Sequence, residues 1–235
     1  MSLTDAANER VNAYADAREN ENDLAWAHNL GVERLQLSIT STHAELHTAV
    51  KDCIHVYWEL FAAEKVSACS VFAAIQLLYR YCTTCASTHK FQRVGAACLW
   101  IGMKLAYGQD MPMCARLLAF CWNGVVPPRF AVKWHKVVQA ELHVLKKLDY
   151  NVLTVTPHDM FVLLLRLHCK DKADETSFFV KGVQVLITIT LSAHDIVYLP
   201  SEIALAVALT CGVHVTGRYL SGRWEQAFAW VQRFL

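Results

Sequence analysis

From Ala44 onward, large apolar side chains return every three or four residues through "HTAVKDCIHVYWELFAAEKV", "SACSVFAAIQLLYRYCTTCA", "KFQRVGAACLWIGMKLAY", "MPMCARLLAFCWN" and "RFAVKWHKVVQAELHVLKKLD". That spacing matches the helical repeat and predicts five successive helices with no strands among them. The ends carry their own chemistry. Ser67 suits an N-cap of the second helix, Gly108 a stop for the third, and Asp110 followed by Pro112 the start of the fourth. Gly124 to Pro128 breaks the pattern before the fifth. "YNVLTVTPHD" is β-branched and ends in Thr156 before a proline, so the chain straightens there. Beyond it, "HDMFVLLLRLHCK", "SFFVKGVQVLITITLSAHD", "PSEIALAVALTCGVHVTG" and "RWEQAFAWVQRF" predict four more helices, with "KDKADET" a loop between the first two.

These breaks divide the chain into a polar arm (1–22), an N-terminal helix and linker (23–43), and two helical domains at 44–154 and 155–235. The halves resemble each other. In each, a helix ending near "LLYRYCTT" or "TLSAHD" precedes one rich in Gly and Ala, "RVGAACLWIG" or "EIALAVALTCG". Small residues at successive turns let neighbouring backbones approach closely, which suits the middle of a bundle. The separation of roughly 110 residues suggests duplication of a five-helix unit.

Composition narrows the function classes. Apolar residues make up 54% of the 235, enough for substantial cores. Lys plus Arg (22) nearly balances Asp plus Glu (21), so nothing in the totals favours nucleic acid or an anionic membrane as a direct partner. Nine cysteines, an odd number beside an ample core, predict reduced thiols and an intracellular setting. The longest nearly apolar run, Ile203 to Val215, is too short to span a bilayer. The glycines form no phosphate-cradling loop, and no cysteine stands in a glycine-flanked elbow, so neither a cofactor nor a catalytic residue is expected. "CTTC" with His89 offers Cys82, Cys85 and His89 as soft ligands but lacks a fourth, and no metal site is expected.

One charge stands out. Lys104 interrupts the apolar run "GAACLWIGMK" in the last turn of the third helix, where it can favour the helix dipole or pair with a carboxylate on a neighbouring helix. Glu141, amid Val137, Val138, Leu142 and Leu145 of the fifth helix, is the candidate partner.

"KFQRVGAACLWIGMKLAY" followed by "AELHVLKKLDYNVLTVTPHDMFVLLL" resembles the core of the cyclin box, in which a small-residue helix ends in lysine and the fifth helix carries glutamate before a Leu-rich run and Thr-Pro. "YLPSEIALAVALTCGV" resembles the matching helix of a second cyclin fold, particularly of transcription-type cyclins, and the likeness covers about 44–235. It implies an all-α chain of two tandem five-helix cyclin-like folds, the second stopping short or shortened where its fifth helix would begin. It also implies a non-catalytic regulatory subunit, intracellular and by family analogy nuclear, with the cytoplasm as the alternative, that forms a heterodimer with a cyclin-dependent protein kinase and holds its C-helix in the active position. In cyclins the residues matching Lys104 and Glu141 contact the kinase's C-helix region. The surrounding apolar contact positions match Ile101, Leu105, Leu145, Tyr150 and Val152.

Two departures bear on subtype. Leu105, Ala106 and Tyr107 stand where many cyclins carry an acidic pair, and "AVKDCIHVYWELF" lacks the Met-Arg-Ala-Ile-Leu patch with which cell-cycle cyclins dock substrates. A transcription-type or divergent cyclin is therefore expected. Trp122 and Tyr107, near helix ends, are further candidates for partner-facing anchors. The rival readings are a transcription-factor core of the same fold and a peptide-gripping scaffold without a kinase.

Overall fold

The computed structural model describes residues 44–85, 90–108, 111, 113–153, 155–169, 171–192, 198–215 and 223–235. The arm, the N-terminal linker and His89, Asp110 and Pro112 fall outside them. The described residues are helical, with no strand among them, and divide into two compact units at Thr154/Val155.

The first unit holds α1 (Ala44–Ala62), α2 (Ala68–Thr84), α3 (Phe91–Tyr107), α4 (Ala115–Val125) and α5 (Trp134–Lys147), with a 3-10 turn at Pro128–Phe130. Ser67 caps α2 by accepting the Ser70 N–H at 3.3 Å. Gly108 closes α3 at φ 60°, in the left-handed region that a Cβ disfavours, and donates its N–H to the Lys104 carbonyl. Cys114, not an acidic residue, occupies the N-cap of α4.

α3 lies at the centre and touches each of the other four helices. Its glycines make this possible. An added β-carbon at Gly102 would fall 2.5 Å from the Ser70 carbonyl oxygen and 3.1 Å from the Ala74 nitrogen of α2, and one at Gly95 would collide with the Cys53 sulfur of α1. The Tyr57 hydroxyl donates to the Gly95 carbonyl at 2.7 Å, reaching the backbone that the missing side chain leaves open. Tyr107 and Trp122, offered above as partner-facing anchors, are buried instead. The Trp122 ring is fully enclosed, 6.1 Å edge-on from Tyr57, because an indole at this point of α4 fills the space left by Gly95.

The second unit holds α6 (Pro157–His168), α7 (Lys172–Ser192), α8 (Pro200–Thr210) and α9 (Trp224–Val231). Thr156 opens α6 reciprocally. Its hydroxyl accepts the Asp159 N–H at 3.2 Å while the Asp159 carboxylate accepts the Thr156 N–H at 2.9 Å, and Pro157 holds the first helical position. The expected loop "KDKADET" is a correction: helix α7 already begins at Lys172. Asp171 accepts the Ala173 N–H at 2.8 Å, and Asp174 and Glu175 sit in the first turn, where the helix dipole favours carboxylates. Charge that reads as a solvated loop is here a helix start. α8 is the counterpart of α3, buried from Ile203 to Ala208 and touching α6, α7 and α9. Gly182 of α7 repeats the small-residue device, since a β-carbon there would overlap the Phe161 ring of α6.

A candidate partner-binding face on the first unit

Along α5, Val137, Glu141, Val144 and Leu148 fall at four-, three- and four-residue steps and so share one stripe. Val137, Val144 and Leu148 are buried, which carries Glu141 to the edge of the core with its side chain 14% exposed. A carboxylate so placed needs partners. α3 supplies two from one face, Trp100 and Lys104, one helical turn apart. The Lys104 ammonium donates to Glu141 Oε1 at 2.5 Å and the Trp100 indole N–H donates to Oε2 at 3.0 Å. The ammonium also lies 5.1 Å from the Trp100 ring centroid. Both carboxylate oxygens are thus occupied, and the lysine is held from two sides.

The Lys104 side chain remains 44% exposed. Its ammonium carries three N–H donors. Glu141 takes one of them, which leaves the others for water or a bound group. Lys104 therefore works as a fixed, solvent-facing donor at the C-terminal end of α3, which the sequence left undecided between a snorkelling and a paired lysine.

The other expected contact residues fall into different settings. Ile101 is 3% exposed and belongs to the core, while Leu105, Leu145 and Val152 are half-buried. Tyr150 is 60% exposed. Asp149 and Tyr150 both adopt left-handed backbone, φ 49° and 58°, which is uncommon for a bulky side chain. The Tyr150 N–H donates back to the Leu145 carbonyl at 2.8 Å and ends α5 there. The turn leaves Tyr150 and Leu153 outside, the latter 78% exposed.

Sequence reasoning missed part of this surface. Val138 and Leu142, taken as an apolar setting for Glu141, are 42% and 49% exposed. With Trp134 and Leu145 they form a second stripe on α5, beside the buried one. The signal was present: a helix with two apolar stripes has one more than its own core needs.

Cys82 and Cys85 do not make a metal centre with the described residues, among which no group of three or more His, Cys, Asp or Glu converges. Burial, and next the neighbouring Cys85, pushes the Cys82 thiol up to about 12. Cys114 is the opposite case. It is exposed, and the N–H groups of Leu117 and Arg116 at the start of α4 hold its thiol below the ordinary range. A lowered pKa means that thiolate is present at lower pH, so Cys114 is expected to be alkylated first among the nine cysteines at neutral pH. Peptide mapping after brief iodoacetamide treatment checks this, and prior labelling of any other cysteine contradicts it.

A family model described as the cyclin N-terminal domain matches residues 33–153. Cyclin-D4-2 of Oryza sativa subsp. japonica is 26% identical over 164 residues, covering 68% of this chain and 41% of its own length. G1/S-specific cyclin-D2 of Rattus norvegicus is 32% identical over 129 residues, covering 54% of this chain and again 41% of its own. The matched stretch is thus less than half of either curated relative. A crystal structure of a viral cyclin from herpesvirus saimiri superimposes with a TM-score of 0.68 at 16% identity, over 88% of this chain and 95% of that one. At that identity the likeness speaks for the fold, the tandem cyclin-like arrangement. Both curated relatives are D-type cyclins, in contrast with the transcription-type likeness of the second half.

Proposed function

The chain belongs to the cyclin family, and from that premise we propose that it is a non-catalytic regulatory subunit that binds and activates a cyclin-dependent protein kinase as a heterodimer. The observation that carries the reading is the lysine at the end of α3, fixed by Glu141 and Trp100 yet open to solvent. A donor held in this way has already lost most of its side-chain freedom, so little more is lost when it meets backbone carbonyls at a partner's helix end. Leu105, Leu145, Tyr150 and Val152 supply the apolar contact around it.

Kinase chemistry explains why such a platform activates. Phosphoryl transfer needs the strand lysine paired with the C-helix glutamate and the activation segment in order. A subunit that binds the C-helix only in its inward position raises the active population by its differential affinity for the two states. No reactive group on the subunit is required.

The D-type relatives favour a kinase of the G1/S class over a transcriptional one, acting inside the cell and, by family analogy, in the nucleus. The test is to mix the purified full chain with individual cyclin-dependent kinases and measure complex formation and phosphorylation of a peptide substrate. Activation of at least one kinase on complex formation is the expected result. Complexes without activation, or none with any kinase, would reject the reading in favour of a scaffold.

A further inference from the structure

The segment from Met111 to Ala140 contains no Asp or Glu, but carries Arg116, Arg129, Lys133 and Lys136 together with His135. In a chain of near-zero net charge this is a local concentration of positive charge, and it coincides with exposed apolar surface. Phe120 is 75% exposed, Trp134 50% and Leu117 44%. Between α4 and the start of α5 lies an open groove of about 420 Å³, lined by Arg116, Ala119, Phe120, Asn123, Lys133 and Trp134 among others.

The groove is built rather than incidental. Asn123 grips the backbone of Val132 twice, donating to its carbonyl at 3.0 Å and accepting its N–H at 2.7 Å. Val132 is itself 3% exposed. That pair of hydrogen bonds fixes the connection from α4 to α5, and with it the positions of Lys133 and Trp134 on one wall against Arg116 and Phe120 on the other.

We propose that this groove docks an acidic peptide segment of a partner protein, one carrying large apolar side chains among Asp and Glu residues. Apolar anchors would cover Phe120 and Trp134, and carboxylates would pair with Arg116 and Lys133. Charge complementarity selects this occupant: the groove lining offers cations and no anion. A phosphate backbone fits the cations but leaves uncovered the exposed aliphatic side chain of Leu117, which stands between Arg116 and Phe120 along α4, so a peptide is favoured over nucleic acid. Neither Lys104 nor Glu141 lines the groove, which shares only Trp134 with the exposed stripe of α5.

Fluorescence anisotropy with the full chain tests the proposal, using a labelled peptide of Phe and Leu set among Asp and Glu, its counterpart with Lys replacing the acids, and a single-stranded oligonucleotide. The acidic peptide is expected to bind, more weakly as salt rises, and the other probes are not. Phe120→Ala with Trp134→Ala removes exposed anchors and should weaken binding about tenfold or more. Arg116→Glu with Lys133→Glu should abolish acidic-peptide binding by a route independent of the aromatic pair. Lys104→Ala with Glu141→Ala should leave it unchanged, so this result and any loss of kinase binding are read separately. The proposal is overturned if the acidic peptide does not bind, if the lysine peptide binds equally well, if the oligonucleotide binds more tightly, or if the groove variants dissociate a dimer of this chain.

Discussion

Replacing Lys104 and Glu141 together with alanine is expected to weaken kinase binding about a hundredfold or more while leaving the helical circular-dichroism signal unchanged. The two halves of that expectation have different physical sources. Stability should survive because the Lys104 side chain is 44% exposed, and an ion pair with one solvated partner contributes on the order of 1 kcal/mol or less. On the proposed interface binding should fail because Lys104 is the donor offered to the kinase, and alanine removes it. The single variants sharpen the assignment. If Glu141 serves by positioning Lys104, then Glu141→Ala should cost much in the native background and little once Lys104 is already alanine, a coupling that a double-mutant cycle reads directly. Trp100 would keep its ring but lose its acceptor. A folded double variant that still binds and activates the kinase would remove this face from the mechanism. Loss of the helical signal would instead make the pair structural.

The second large effect lies in the scaffold. Gly102→Ala is expected to destabilise the first unit by about 1–3 kcal/mol, although alanine is the better helix former. The new methyl would meet the Ser70 carbonyl oxygen at 2.5 Å, and that atom belongs to a backbone which cannot swing aside. Gly124→Ala is the matched control. It too is helical, within α4, but an added β-carbon there meets nothing within 4 Å. It should therefore show only the propensity gain, up to about 1 kcal/mol. Urea unfolding followed by circular dichroism should move in opposite directions for the two variants. Equal shifts would mean that α2 and α3 do not pack backbone to backbone.

Much of this architecture was legible in the residues. The three- and four-residue apolar spacing gave the helices, because burying one face of a helix imposes that period on any sequence. Ser67 and Gly108 marked real ends because the orphan backbone groups of a helix need a particular chemistry. The small-residue stripe of "RVGAACLWIG" pointed to the central helix. The loop expected at "KDKADET" failed because acidic side chains suit a helix's first turn as well as solvent, a choice that local composition does not make. The pairing of Lys104 with Glu141 was suggested by position alone, but the part played by Trp100 was not, since an indole on a core helix is ordinarily read as filler. Trp122 turned inward because Gly95 on the facing helix leaves volume that its ring fills, a property of the packed unit, and Tyr107 is buried with it at the end of α3. Val138 and Leu142 turned outward for the complementary reason: α5 had already filled its share of the core with Val137, Val144 and Leu148.

The glycines of α3 have an evolutionary consequence. Gly95 and Gly102 lock one side of the helix against its neighbours, where an added β-carbon would collide with the Cys53 sulfur or the Ser70 carbonyl oxygen, whereas Lys104, two residues past Gly102 and so on the opposite face, is half in water. Trp100 is the link between the two, since it is buried with the packing and yet holds Glu141 and lies beside Lys104. A lineage can therefore alter the solvent-facing side of that helix at smaller cost to the fold than it can alter Gly95, Gly102 or Trp100.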